Sequence, residues 1–346
     1  MSNMKKMLVT GGAGFIGSHL VRRLLKDEHE VINLDALRYS GNLENLRDIE
    51  TNNRYTFVHG DICDRPTIEK VFTQHKPDAV INCAAETHVD RSILDPSAFT
   101  KTDVVGTATL LEEARKAGVS RFLQVSTDEV YGSVEQGSSK ESDALDPRSP
   151  YSASKAGADL LVLSYWTTYR FPVLITRGSN TYGPNQYPEK FIPLFVTNAL
   201  EDQPLPLYGD GKYRRDWLSV FDHCGGIEHV LRHGAPGTIY NVGGGNEREN
   251  ITVADIILQH LKKPQSLIRY VQDRPGHDRR YAIDCTRLKQ LGWAPVVAFD
   301  EGLTLTIDWY AQHEDWWKKI KSGEFKNYYA TAYATRLQRG HAETRS

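Results

Sequence analysis

Tyr151-Ser152-Ala153-Ser154-Lys155 sets a phenol and an ammonium four residues apart, which on a helix puts them on one face. A free tyrosine titrates at about 10 and is a poor base at neutral pH. A lysine one turn away favours the phenolate electrostatically, so Tyr151 can take a proton from a hydroxyl while Lys155 holds a second hydroxyl nearby. Upstream, Val125-Ser126-Thr127-Asp128-Glu129-Val130-Tyr131-Gly132 ends an apolar run on Thr127, Asp128 and Glu129. Thr127 can hydrogen-bond the hydroxyl that Tyr151 deprotonates. Two adjacent carboxyl groups exceed what a simple oxidation of that hydroxyl requires. They are one acid and one base, the parts needed to expel water.

The pattern Tyr-x-x-x-Lys is common by chance and gains meaning from what precedes it. Thr10-Gly11-Gly12-Ala13-Gly14-Phe15-Ile16-Gly17 follows a short apolar strand and opens a helix. Gly11, Gly14 and Gly17 give a tight turn and let a pyrophosphate approach the backbone, where the helix N-terminus offers free N–H groups. Phe15 and Ile16 complete the turn. Asp35, closing Val31-Ile32-Asn33-Leu34-Asp35, stands where a carboxylate accepts from the adenosine ribose and repels a 2′-phosphate. The expected cofactor is therefore NAD rather than NADP, although Arg38, three residues on, counts against that choice. Cys83-Ala84-Ala85 places small side chains where a dinucleotide must pass close to backbone.

These residues need a parallel sheet to hold them. Apolar runs at 6–10, 30–34, 56–59, 79–82, 121–126 and 173–178 alternate with helical patterns at 17–26, 65–74, 98–117 and 152–169, which implies crossover units. The fold expected is α/β: a Rossmann-like, doubly wound parallel sheet with a smaller mixed α/β substrate-binding domain. The boundaries expected are 1–178 plus about 221–243 for the dinucleotide domain, about 179–220 and 244–330 for the second, and a polar tail over 331–346. Past residue 178 glycine and proline punctuate the pattern. Only a strand at 238–242, helices near 253–261 and 287–291, and a strand near 268–271 are legible.

The chain has 346 residues, 40% of them hydrophobic, and a formal net charge of −2. That balance gives no footprint for nucleic acid, and no apolar run approaches a membrane span. Cys63, Cys83, Cys224 and Cys285 are scattered, so neither a zinc site nor a disulfide framework is indicated, no metal is expected, and a reducing cytoplasm suits the chain.

At longer range the sequence resembles the dTDP-glucose 4,6-dehydratases, extended short-chain dehydrogenases of the NAD-dependent epimerase/dehydratase superfamily. The strings that carry the resemblance are TGGAGFIGSHL from Thr10, SGNLENL from Ser40, GDICD from Gly60, AAETHVDRSI from Ala84, VSTDEVYG from Val125 and SPYSASKA from Ser149. They continue with SNTYGPNQYPEKFIPLF from Ser179, RRDWLSV from Arg214, YNVGGGNE from Tyr240 and RPGHDRRYAID from Arg274. The resemblance implies that dTDP-glucose becomes dTDP-4-keto-6-deoxyglucose by transient oxidation at C4, loss of water across C5–C6 and return of hydride to C6. In that scheme Glu129 removes the C5 proton and Asp128 protonates the leaving C6 hydroxyl.

It further implies that Asp61 and Ile62 flank the adenine and that Thr102 lies along the cofactor. Thr87, Asn180, Glu189, Lys190, Arg215, Asn241, Arg274 and His277 are implied at the sugar and diphosphate, and Pro206, Leu207 and Tyr208 at the base. His88 reads as structural. The superfamily usually has Asn where this chain has Asp103, which changes the surroundings of Lys155. The family is usually a homodimer through two helices, here 98–117 and 152–169. The readings left open are the same reaction on a UDP-sugar and a 4-epimerase or decarboxylase of the same fold.

Overall fold

The computed structural model describes residues 4–323 together with 325 and 329; the expected polar tail, 331–346, lies outside them. The described strands are β1 (Lys6–Thr10), β2 (Glu30–Asp35), β3 (Tyr55–His59), β4 (Ala79–Asn82), β5 (Arg121–Thr127), β6 (Val173–Gly178), β7 (Asn180–Tyr182), β8 (Leu205–Tyr208), β9 (Arg214–Ser219), β10 (Thr238–Val242), β11 (Glu247–Glu249) and β12 (Ile268–Val271). The described helices are α1 (Phe15–Lys26), α2 (Arg65–His75), α3 (Val89–Leu94), α4 (Pro96–Phe99), α5 (Thr107–Lys116), α6 (Pro150–Tyr169), α7 (Phe191–Leu200), α8 (Val220–His233), α9 (Asn250–His260), α10 (Thr286–Gln290), α11 (Phe299–Gln312) and α12 (Glu314–Ser322).

Seven strands make one parallel sheet in the order β10-β6-β5-β4-β1-β2-β3. Its apolar strands show no polar face because both faces are covered. Successive side chains alternate between faces. Met7, Val9, Leu123 and Leu174 enter a core with Leu20 and Leu24 of α1 and Ile227 and Val230 of α8. Leu8, Phe122, Val173 and Ile175 enter the opposite core with Phe72 of α2, Leu110 and Leu111 of α5, and Val162 of α6. The strand order reverses between β1 and β4. Ligands of open α/β sheets bind outside the carboxyl ends at such a switch point. Here those ends carry Thr10, Asp35, Asn82, Thr127 and Gly178.

A second core joins α7, α9, α11 and α12 to the small sheet β11-β9-β7 and the pair β12-β8. Sequence periodicity missed α7 because Phe191-Ile192-Pro193-Leu194-Phe195-Val196 is apolar all round, and residues 192–199 are all buried. It missed β8 because Pro206 argues against a strand; β8 pairs only with β12, so the missing N–H has an open edge. The two cores support the two-domain division as a proposal, with one amendment. Helix α10 packs on β10 and Leu288 joins the first core, so this stretch goes with the dinucleotide domain rather than with 244–330.

The helix expected over 98–117 is broken. Between α4 and α5, residues 100–106 form a wide π-type turn, a deviation that concentrates at functional sites. It turns Thr102 and Asp103 inward, where both are buried.

Candidate active site

The glycine turn is built against residues 83–85. Gly11 has φ +69°, and a Cβ there would lie 2.8 Å from the Ala84 amide nitrogen. A Cβ on Gly17 would lie 2.2 Å from the Gly11 carbonyl oxygen. Gly14 caps α1 without a side-chain hydrogen bond, so the first N–H groups of the helix stay open. A cleft runs from this turn across the sheet ends.

At one end Asp35 accepts from the Ala13 N–H (2.9 Å) and the Leu37 N–H (2.8 Å). Burial pushes its carboxyl up, against those two bonds. Arg38 is paired to Asp61 (2.7 Å) and Glu86 (3.3 Å), so its guanidinium is engaged by two carboxylates. Gly11, Gly14, Phe15, Ile16, Gly17, Asp35, Asp61, Ile62, Cys83, Ala84, Ala85 and Thr102 all line the cleft. The Thr102 Oγ1 is buried without a partner. A cradle that any Cβ would fill, an open helix end and a ribose-facing acid fit NAD.

At the other end lie Thr127, Asp128, Glu129, Tyr151 and Lys155, all lining the same cleft. Thr127 ends β5 and caps the following turn, accepting from the Glu129 N–H at 3.3 Å. Tyr151 and Lys155 sit at the start of α6, whose Ser149–Ser152 capping box fixes where the helix begins. The buried pair Arg177–Asp159 (2.9 Å) ties α6 to β6.

The electrostatics amend the sequence reading in one respect. Tyr151 is held well above the ordinary phenol value, by burial first and then by Glu129 and Asp103. Lys155 is buried and donates to the Val125 carbonyl (2.7 Å).

The carboxyl pair is split as acid–base work requires. Asp128 is buried and raised well above the usual carboxylate range, by burial, then by Glu129 and Asp216; its Oδ2 has no partner. Glu129 is also raised by burial, but Arg274, Lys190 and Arg215 oppose the shift. Two carboxyls whose surroundings diverge in this way divide into acid and base.

Asp103 accepts from Ser154 Oγ (2.6 Å) and the Glu86 N–H (3.0 Å), and burial raises it to about 6 despite Lys155 and these bonds. A raised carboxyl binds its proton more tightly folded than unfolded. Its contribution to stability is whole below the ordinary 3.8 and is lost as pH rises through about 6. Asp103→Asn keeps the Glu86 contact and lets Ser154 accept instead of donate. It is expected to raise stability at neutral pH by on the order of 1–3 kcal/mol, with no gain at pH below about 4. Denaturant midpoints across pH check this; an equal effect at both ends contradicts it.

Of the substrate set, Thr87, Asn180 and Lys190 line the cleft, and Lys190 Nζ donates to the Thr87 carbonyl. Arg215 and Arg274 lie within electrostatic reach of Glu129. Arg215 already donates to the carbonyls of Arg214 (2.8 Å), Arg279 (3.3 Å) and Asp278 (2.8 Å), while Arg274 keeps a buried, unpartnered Nε. The others stand outside the lining of this cleft. Glu189 is buried against Arg91 (2.9 Å). His277 stacks on Tyr213 at 3.9 Å, with Nδ1 2.6 Å from Asp273. Tyr208 donates to Asp90 (3.0 Å). Pro206 sits in β8 beside Leu207, whose side chain packs in the second core. Asn241 is fully buried, its amide bonded to Tyr131, Ser139 and Asp284. Sequence reasoning missed Gln186, Tyr187 and His223, which also line the cleft. Gln186 and Tyr187 lie within the SNTYGPNQYPEKFIPLF string, which could have pointed to them, whereas His223 stands just past RRDWLSV with no spacing to single it out.

Comparison with known proteins agrees with this geometry. The family model described as GDP-mannose 4,6 dehydratase matches residues 8–306. A dTDP-glucose 4,6-dehydratase of Escherichia coli is 47% identical over 92% of this chain and 97% of its own. One from Xanthomonas campestris is 49% identical over 93% and 98%. The solved dTDP-glucose 4,6-dehydratase of Streptomyces venezuelae, a complex with NAD, superposes with a TM-score of 0.89 at 50% identity, covering 91% of this chain and 100% of that one. A Thermus thermophilus UDP-glucose 4-epimerase with NAD reaches a TM-score of 0.84 at 32% identity, covering 89% and 99%. The chain belongs to the nucleotide-sugar 4,6-dehydratase family that the matching model describes, and within it to the dTDP-glucose 4,6-dehydratases.

Proposed function

We propose that this chain is an NAD-dependent hydro-lyase that converts dTDP-glucose to dTDP-4-keto-6-deoxyglucose. The observation that carries the reading is the Asp128–Glu129 pair, split in environment and set beside Tyr151 at the end of β5. When bound, the nicotinamide would supply a hydride acceptor for C4 while oxidised, a hydride donor for C6 once reduced and, in the oxidised form, a positive charge beside the phenol. Tyr151 takes the C4 hydroxyl proton, with Thr127 holding that oxygen. The 4-keto group acidifies C5, and Glu129 removes the proton there. Asp128, kept protonated by its surroundings, gives its proton to the C6 hydroxyl, which leaves as water. Glu129 returns its proton to C5. The proton gained at Tyr151 balances the one lost from Asp128, so the net change is one water.

A 4-epimerase on this fold has no use for the carboxyl pair and leaves the sugar's mass unchanged. A panel of dTDP- and UDP-hexoses read by mass spectrometry is expected to show loss of one water, fastest with dTDP-glucose. Unchanged masses throughout, or faster turnover of a UDP-sugar, sinks the reading. Thymine and uracil differ by one methyl, so the preference between nucleotides is expected to be about 10–200-fold.

The proposed assembly is a homodimer through α5, α6 and the π-type turn. Val105 and Leu160 project there into solvent, 52% and 60% exposed, and Tyr169 is exposed at the end of α6. Light scattering is expected to give twice the chain mass, and a clean monomer contradicts the assignment. The proposed location is the cytoplasm, which suits four free cysteines; no described helix is long and apolar enough to cross a membrane.

A further inference from the structure

His223 lies near the start of α8, three residues past the RRDWLSV string and inside none of the motifs above, yet its ring lines the cleft. A Cβ on Gly178 would fall 2.5 Å from the His223 Cε1 and Nε2 atoms. Gly178 is the partner of Thr127 in the β5–β6 register. The imidazole therefore edges the reactive end of the cleft, not the adenosine end marked by Asp35.

Its hydrogen bonds assign its proton. Nδ1 lies 2.7 Å from Thr181 Oγ1, and that hydroxyl lies 3.1 Å from the Ser179 carbonyl. The hydroxyl has one proton, and a carbonyl can only accept. Both bonds form when Thr181 donates to Ser179 and accepts from Nδ1–H. Nε2 is then left with a lone pair, buried and without a partner. Burial lowers the ring to about 4, so it is neutral at working pH. Two neighbours share this condition. Ser179 Oγ and Asn180 Oδ1 also line the cleft, buried and unpartnered. Orphaned buried polar atoms are rare in folded proteins, and three on one wall call for a ligand edge with both donors and an acceptor. A primary amide on an aromatic ring has that edge. Its N–H groups meet Nε2 and Asn180 Oδ1, and its oxygen takes the Ser179 hydroxyl.

We infer that His223 Nε2 receives a carboxamide N–H of the nicotinamide, and so selects the ring face turned toward the sugar. The inference rests on the NAD assignment and deepens it, giving this chain a cofactor-orienting residue outside every dinucleotide motif. The side chain acts on one edge of the ring and leaves the pyrophosphate and adenosine contacts alone.

Calorimetry tests it on protein freed of bound nucleotide, with three probes: NAD, 3-acetylpyridine adenine dinucleotide, which has a methyl in place of the amide nitrogen, and ADP-ribose, which has no ring. The unaltered protein is expected to bind NAD about tenfold more tightly than the acetylpyridine analogue. His223→Asn keeps an amide near Thr181 but withdraws the Nε2 position. It is expected to narrow the tenfold preference for NAD over the analogue to about threefold, the Asn180 contact remaining, with ADP-ribose affinity unchanged. A variant that binds ADP-ribose normally and keeps the tenfold preference overturns the inference. Should this variant fail to bind ADP-ribose, His223→Leu is read in the same way. Should both fail, the unaltered protein decides: equal affinity for NAD and the analogue overturns the inference, and a clear preference supports it. Failure of the unaltered protein to bind ADP-ribose sinks the dinucleotide reading instead.

Discussion

Glu129→Gln and Asp128→Asn are each expected to slow water loss by about 10²–10⁴-fold, and to differ in what they leave behind. With Glu129 replaced, no group remains to take the C5 proton. Substrate recovered from deuterated water should carry no deuterium at C5. With Asp128 replaced, Glu129 still removes and returns that proton while the 4-keto sugar waits. Recovered substrate should then gain deuterium at C5 faster than product forms. The pH dependence follows from the same environments. Asp128 is raised well above its ordinary value, so its acid role is present at low pH and lost as pH rises through its folded value. Glu129 must be ionised, so its role is lost as pH falls through its own. The product is a bell-shaped rate profile that belongs to the pair. Each single variant should lose one limb. Equal C5 exchange in the two variants would remove the assignment of base and acid.

Tyr151→Phe is expected to reduce turnover by about 10²–10⁴-fold with little change in substrate affinity. The phenol meets developing charge in the transition state rather than the resting sugar, so the loss falls on kcat. Without oxidation at C4 the C5 proton is never acidified, so this variant should show no C5 exchange at all, unlike Asp128→Asn. Phenylalanine keeps the edge-to-face contact with Phe99, whose ring centre is 6.2 Å away, so the fold should stand. Calorimetric binding of the sugar nucleotide separates this outcome from simple loss of structure. Full C5 exchange in Tyr151→Phe would mean that another group takes the C4 hydroxyl proton.

The strands that carry these residues were legible because the sheet is covered on both faces. A strand such as Ala79–Asn82, buried throughout, reads as a short apolar run with no alternation, and its borders fell where expected. The glycine turn was legible for a different reason. Its constraint is steric, and no other residue fits at Gly11 or Gly17.

What was not legible depends on contacts distant in sequence. Periodicity made one helix of 98–117. The break ends on Gly106, which packs so closely that a Cβ there would lie 2.6 Å from Ile62 Cγ1. Asn241 and Leu207 were implied at the substrate only by position in a motif; the bonds of the Asn241 amide to Tyr131, Ser139 and Asp284, and the packing of Leu207 in the second core, carry no sequence signal. His223 carried no signal at all, because its role depends on Thr181 and Gly178 meeting α8 across the sheet end.

In the proposed reaction one sugar is oxidised and reduced within the same cleft, at different carbons, around a loss of water. Conversion of dTDP-glucose bearing deuterium at C4 tests this most directly. The expected product is lighter by one water and keeps the label, now at C6. A dehydrated product whose label has been lost to solvent, or a sugar of unchanged mass still labelled at C4, would contradict it.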